Sequence, residues 1–402
     1  MLGGKKADVL MLHLLGRCNL ECAHCYMEGS PRRRERLPLN TVLQAIAECK
    51  ALGVGSVSLT GGEPLLYPDL DRVIDAAAAL PDVTITLCTN GTLLTKRRAA
   101  RYREVGLRVN ISIDGRPQFH DAFRKSPGAF AASEDGARAA VECGIPVTII
   151  STISHDNLDA VEFLVDWAAG LGVDHFYVQP LLDLGRGKQI ADRCLTFHEM
   201  NRLIMRLSDL ANRPQYRHLR CQMIGAKKKF LLEHPCGAFV RKGVQCHRGV
   251  SKEIRKLVVR EDGTVLPEVP NLSPRFSLGN IQDGPLSQLI ERYFENGFDE
   301  FERLCRATYF NVLPKWDCVI VPWEQMLSES SESWISDESN EAPVRECASC
   351  AVSKFGAWKR PTGTDDRTRA ALVRPAQSIA CDPLRVHAGD DERNGTSFSP
   401  LD

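Results

Sequence analysis

Cys18-Asn19-Leu20-Glu21-Cys22-Ala23-His24-Cys25-Tyr26 is the stretch whose reading decides the fold. Its cysteines are separated by three and then two residues, so one short loop can aim three thiolates at a common centre while a helical turn starts behind them. Grouped thiolates select zinc, copper(I) or iron–sulfur clusters, and four are needed to close a structural zinc site or to fill every iron of a cubane. Three stand here, which leaves one coordination position for something other than protein. The alternative for the same residues is a zinc knuckle that borrows His24 or a distant cysteine.

Outward from this loop, from residue 7 to about 190, short β-branched runs alternate with longer amphipathic stretches, which predicts a parallel sheet with crossover helices. The candidate strands are Val9 to Leu14, Val57 to Thr60, Val83 to Cys88, Val109 to Ile113, Val147 to Thr152 and His175 to Gln179. Helices are expected near 39–52, 69–80, 93–105, 132–143 and 156–170, the last opened by Ser154, Asp156 and Asn157 as cap candidates. After the second strand comes Thr60-Gly61-Gly62-Glu63-Pro64. Paired glycines let a backbone approach a ligand closely, and a carboxylate beside them can receive a ligand ammonium. A plain Gly-Pro turn with a solvated Glu63 is the other reading. Cys88-Thr89-Asn90-Gly91 follows the third strand, and Asn110-Ile111-Ser112-Ile113-Asp114-Gly115 alternates polar with apolar residues as a half-buried strand does.

A C-x-x-x-C-x-x-C loop entered from an apolar strand and followed by an aromatic residue, with a GGE turn one strand later and a TNG turn after the third, resembles the radical S-adenosylmethionine (radical SAM) enzymes. In that family three cysteines hold a [4Fe–4S] cluster whose open iron is chelated by SAM. One electron cleaves SAM to methionine and a 5′-deoxyadenosyl radical, which abstracts a substrate hydrogen. The resemblance implies an α/β fold, a partial (β/α)6 TIM-like barrel over residues 1–190 with its chemistry at the C-terminal ends of the strands. It assigns Cys18, Cys22 and Cys25 to the catalytic cluster, Tyr26 to packing beside it, and Gly61, Gly62 and Glu63 to the methionyl amine of SAM. Asn90, Ser112, Asp114 and Arg124 are assigned to SAM or substrate, with Arg124 facing the SAM carboxylate. Thr152 and Gln179 are further pocket candidates.

Gly185-Arg186-Gly187 ends the expected core, and residues 191–235 read as a helical linker whose Lys227-Lys228-Lys229 is a solvated face. Beyond it, Cys246-His247-Arg248-Gly249, Arg260 to Pro267 and Leu278-Gly279-Asn280-Ile281 resemble the SPASM or shorter twitch extension of radical SAM enzymes, a hairpin plus helix holding one or two auxiliary [4Fe–4S] clusters. Asp262-Gly263 between β-branched runs is an independent hairpin signal. A small cysteine-rich α+β domain is therefore expected over 236–358, and an irregular tail over 359–402. Two departures matter: Glu268 stands where the family usually has a cysteine, and Gly356 and Arg360 replace two more. One auxiliary cluster is preferred, drawn from Cys236, Cys246, Cys318, Cys347 and Cys350. A second, completed by Cys305, Cys381 or Glu268, stays open, and a structural zinc at Cys347-Ala348-Ser349-Cys350 is the alternative. The Ser/Glu-rich stretches Ser328 to Ser333 and Ser336 to Glu341 read as a flexible loop.

Length and charge bound the function. A chain of 402 residues implies two or three domains. Basic and acidic residues balance at 51 each, which gives no global argument for nucleic acid or an anionic membrane. Fifteen cysteines without an export signal read as metal ligands and buried thiols, and no apolar run reaches the roughly 18 residues that span a bilayer, so a cytoplasmic protein is expected. The expected activity is that of a radical SAM oxidoreductase or maturase modifying a peptide or protein by crosslinking, epimerisation or oxidation. The alternative is the same chemistry on a small molecule in cofactor, haem-type tetrapyrrole or antibiotic biosynthesis; a non-catalytic zinc scaffold is the reading from another class. The resemblance implies a flavodoxin- or ferredoxin-type electron donor. With about six residues ahead of the first strand, no winged-helix recognition domain is evident before the core, so a peptide substrate calls for a separate recognition protein.

Overall fold

Val9-Leu10-Met11-Leu12-His13 carries the near-continuous apolar content of a strand covered on both faces, and it forms β1 (Val9–His13) in the interior of the sheet. The computed structural model describes residues 7–233 and 254–334. After β1 come α1 (Leu39–Leu52), β2 (Ser56–Thr60), α2 (Leu70–Ala78), β3 (Thr84–Thr89), α3 (Lys96–Glu104), β4 (Arg108–Ser112), α4 (Pro117–Phe123), α5 (Ala129–Glu142), β5 (Val147–Ile153), α6 (Val161–Leu171) and β6 (His175–Pro180). Ser154 does cap the helical turn that leads into α6, its N–H donating to Asn157 Oδ1 at 2.7 Å.

Strands β1 to β6 pair in parallel and in chain order. Two edges then extend the sheet. After α7 (Phe197–Asn212), β7 (Arg220–Met223) pairs in parallel with β6. Beyond β8 (Ala226–Lys227) and α8 (Lys228–Glu233), β9 (Lys256–Val259) returns to the other side and pairs in parallel with β1. Antiparallel β10 (Thr264–Pro267) and β11 (Gly279–Asn280) follow outward from β9. The chain continues through α9 (Leu286–Asn296), α10 (Phe298–Ala307), β12 (Ile320–Val321), which pairs antiparallel with β8, and α11 (Trp323–Glu332). The result is an α/β fold of the partial TIM-barrel kind, its sheet ordered β11-β10-β9-β1-β2-β3-β4-β5-β6-β7.

The period-2 alternation of the strands explains why a cavity lies inside the curve. Leu10, Leu12, Val57, Leu59, Ile85, Leu87, Val109 and Ile111 belong to the continuous apolar core with the helices. The alternate positions Ser56, Ser58, Thr86, Asn110 and Ser112 line a cavity of about 510 Å³. Closed TIM barrels fill this space with branched aliphatic side chains; here small polar ones leave it open.

Two expectations differ from the structure. The stretch read as a helical linker does carry α7, but it also carries β7, whose Arg-Cys-Gln-Met lacks the β-branched residues that announce a strand. Ser328 to Glu332 is not a loop but part of α11, with Ser328 and Ser331 buried. The Ser328 hydroxyl donates to Asn271 O at 2.8 Å, and Ser331 Oγ accepts from Ser273 N–H at 2.9 Å, which satisfies hydroxyls that composition alone assigns to solvent. Residues 335–402 and 234–253 lie outside the described residues, and with them Cys236, Cys246, Cys347, Cys350, Cys381 and the stretch Ser336 to Glu341. No helix among the described residues is long and apolar enough to cross a membrane.

Candidate active site

The loop between β1 and α1 brings Cys18, Cys22 and Cys25 to the wall of the cavity. Every one of the three sulfurs faces a donor. Leu20 N–H points at Cys18 Sγ (3.4 Å) and Gly29 N–H at Cys25 Sγ (3.4 Å), while Arg124 Nη1 lies 4.0 Å from Cys22 Sγ and Asn90 Nδ2 3.9 Å from Cys18 Sγ. Donors aimed at sulfur suit thiolate ligands and tune a cluster. Burial pushes the Cys18 thiol up to about 12 and the Cys22 thiol up to about 11, the latter partly restrained by Arg124. Loading a metal here therefore releases protons. Among the described residues no three His, Cys, Asp or Glu side chains gather as a single-ion site requires. His24, the fourth donor that a zinc knuckle needs, stacks on Phe123 with ring centroids 4.2 Å apart. Its Nε2 lies 3.9 Å from Asp114 Oδ2, and burial lowers its pKa to about 4. This donor set, three sulfurs with a free cavity beside them, fits a cluster with one open iron.

Gly62 sits so close to the approach of the loop that a Cβ there would lie 2.2 Å from Arg17 O. Gly61 and Gly62 line the cavity; Glu63 does not. Glu63 was expected to meet a ligand ammonium, but its carboxylate is fully buried and both oxygens are engaged within the protein. Oε1 accepts from Leu65 N–H (3.0 Å) and Thr89 Oγ1 (2.7 Å), and Oε2 from Asn90 N–H (2.9 Å). The carboxylate thus ties the GGE turn to the TNG turn, and only the glycine backbone of the motif is presented to the cavity. Asn90 lines the cavity and donates to Asn19 Oδ1 at 2.9 Å, which holds the thiol loop.

Asp114 is likewise withdrawn. It is fully buried, takes Arg124 Nε and Nη2 on Oδ2 at 2.8 Å each, and accepts Thr152 N–H on Oδ1 at 2.9 Å. Burial alone would raise its pKa, but the Arg124 guanidinium overrides that and holds the carboxyl below its usual range. Arg124 lines the cavity with its charge shared between Asp114 and the Cys22 sulfur, rather than standing free for a ligand carboxylate. Tyr26, Ser112, Thr152 and Gln179 all line the cavity. His120 Nδ1 accepts from Asp114 N–H (3.1 Å), and burial holds this histidine neutral with a pKa of about 4.

Two residues of the wall, Arg255 and Glu324, carried no signal in the sequence, and with Arg186 and Glu268 they line the cavity from elements distant in sequence. Glu268, at the position left open as an auxiliary ligand, adopts φ +61° and turns its carboxylate onto the entry to β9, where Oε1 accepts the N–H of Arg255, just ahead of the strand, at 2.5 Å. Cys305 and Cys318 are both buried. The usable signal was the run of serines and threonines at alternate strand positions, which marks a polar lumen.

Comparison with known proteins matches residues 12–168 to the Radical SAM superfamily. A pre-heme d1 synthase of Dinoroseobacter shibae is 35% identical over 52% of this chain and 53% of its own length. A probable GTP 3′,8-cyclase of Methanocella arvoryzae is 35% identical over 42% of this chain and 55% of its own. The chain thus spans about half the length of these two curated relatives. An Fe-coproporphyrin III synthase of Methanosarcina barkeri is 26% identical over 71% of this chain and 73% of its own. In structure, SuiB of Streptococcus suis bound to S-adenosylmethionine superposes with a TM-score of 0.58 at 18% identity, over 74% of this chain and 68% of its own. The superfamily match begins inside β1 and runs through the thiol loop, both glycine turns and the Asp114–Arg124 pair, so that residues 12–168 are similar to the Radical SAM superfamily of enzymes.

Proposed function

We propose that the chain binds SAM in this cavity against a [4Fe–4S] cluster held by Cys18, Cys22 and Cys25, and that it acts on a small molecule of the haem-type tetrapyrrole class. The observation that carries the chemistry is the trio of cavity-facing sulfurs, each met by a donor, with no fourth protein ligand among the described residues. Such a cluster supplies the electron that cleaves SAM to methionine and a 5′-deoxyadenosyl radical. The chain's own part is binding and order. The backbone of Gly61 and Gly62 bounds the cavity where SAM's methionyl end would lie, and Arg124 and Asp114 set the charge beside Cys22.

The substrate class is supported by the reach of the relatives. The match to the Fe-coproporphyrin III synthase extends over 71% of this chain, beyond the shared core, whereas the match to the GTP cyclase stops at 42%. SuiB, whose structure with its precursor peptide SuiA is known, shares 18% identity, which carries fold alone. We also propose one auxiliary cluster, to which Cys318 contributes with cysteines outside the described residues, and a flavodoxin- or ferredoxin-type reductant. The test is iron and sulfide content of anaerobically reconstituted full chain together with dithionite-driven release of 5′-deoxyadenosine, with iron coproporphyrin III or a ribosomal peptide as candidate substrate. About eight irons, four for each cubane, and release stimulated by the tetrapyrrole is the expected result. Stoichiometric zinc without cleavage would sink the chemistry; stimulation by the peptide alone would sink the substrate class.

A further inference from the structure

Gly185-Arg186-Gly187 follows β6, five strands away from β1 in the sheet, yet it packs on the loop that leaves β1. Arg186 meets three carbonyls of that loop. Its backbone N–H donates to Cys25 O (3.1 Å), its Nε to Cys22 O (2.8 Å) and its Nη2 to Gly29 O (2.9 Å). The loop's own turn bonds, Cys25 N–H to Cys22 O at 3.3 Å and Glu28 N–H to Cys25 O at 3.2 Å, are longer than either side-chain bond. The approach is tight enough to require glycine beside the arginine: a Cβ at Gly185, which has φ +54°, would lie 2.4 Å from Tyr26 O. The donors that face the sulfurs come from elsewhere, namely Leu20, Gly29, Asn90 and Arg124. Arg186 therefore fixes the backbone of the loop and leaves the sulfurs to others. A planar fork with separate donors can span Cys22 O and Gly29 O at once, which a lysine ammonium on its single point cannot reproduce.

We propose that Arg186 is a positioning residue for the metal loop: it clamps the Cys22 to Gly29 turn from the open side of the barrel, and retention of iron by the loop depends on that clamp. The inference rests on the cluster reading above. The experiment compares full-length wild type, Arg186→Gln and Arg186→Lys after anaerobic reconstitution. The quantities read are iron per chain, the rate at which a chelator strips iron, the low-temperature EPR spectrum of the reduced protein, and thermal melting of the iron-free chain.

The expected result is stripping about tenfold faster or more in Arg186→Gln, with an altered EPR spectrum and iron-free melting unchanged, and an intermediate rate in Arg186→Lys. Iron retention and EPR matching wild type in Arg186→Gln would overturn the clamp while leaving the cluster reading intact. Should Arg186→Gln fail to fold, Arg186→Lys carries the test alone, and stripping at the wild-type rate would overturn the proposal. A wild-type chain that takes up no iron would overturn the cluster reading and the clamp with it.

Discussion

At Glu63, three donors converge on one buried carboxylate, so the isosteric Glu63→Gln change places an amide NH2 against a donor that has no other acceptor. An unsatisfied buried donor costs about 1–3 kcal/mol, and urea unfolding of the variant is expected to show that loss; an unchanged midpoint would mean the turn is held by other contacts. Gly62→Ala is expected to weaken SAM binding at least tenfold by isothermal titration, because its Cβ can be accommodated only by moving the Arg17 carbonyl and the loop with it. Glu261 gives a pH signature. Burial opposes its ionisation, but His13, with Nδ1 3.8 Å from Oε2, and then Arg33 Nη2 at 2.7 Å hold its pKa at about 2, below the ordinary 4.5. A carboxylate with a depressed folded pKa contributes stability above its unfolded value and loses it as pH falls toward the folded one. Wild type is therefore expected to lose on the order of 3 kcal/mol between about pH 5 and pH 2 that Glu261→Gln does not lose, read as a flatter acid limb in its stability profile.

The elements that matter most for the site are the ones at the sheet's edges. β9 covers β1 with Leu257 opposite Leu10 and Val259 opposite Leu12, all buried. The tip between β9 and β10 also reaches the thiol loop through the Glu261 contact with Arg33. The hairpin is thus a continuation of the core sheet. Leu257→Ala is expected to cost about 2–5 kcal/mol and to lower the same unfolding transition that Leu12→Ala lowers. Two separable transitions in calorimetry would show instead that the C-terminal part unfolds on its own.

Across the whole molecule, the cysteines proposed as cluster ligands divide between a loop in the described core and Cys318 together with positions outside the described residues. Replacing Cys18, Cys22 and Cys25 together with alanine is expected to abolish 5′-deoxyadenosine release while leaving about four irons per chain at the proposed auxiliary site. Loss of all iron in that triple variant would argue against a separate auxiliary cluster. The sheet runs from β7 at one edge to β11 at the other, and α11 places Trp323 and Glu324 in the cavity wall.

The sequence by itself determined the parallel core and the place of the thiol loop, because both depend on local features: period-2 apolar runs, capping residues such as Ser154, and cysteine spacing within a single turn. It also located the glycine turns and the polar face of the fourth strand. What each motif side chain does was decided by tertiary structure. Glu63 and Asp114 read as ligand-facing carboxylates, yet a buried charge must be paired, and the nearest donors belong to Asn90, Thr89 and Arg124, up to 27 residues away in sequence. The seating of Arg186 on Cys22 spans 164 residues, and that of Glu261 on Arg33 spans 228. No local pattern records such pairings, since they exist only once the sheet has curved and its edges have met the loop.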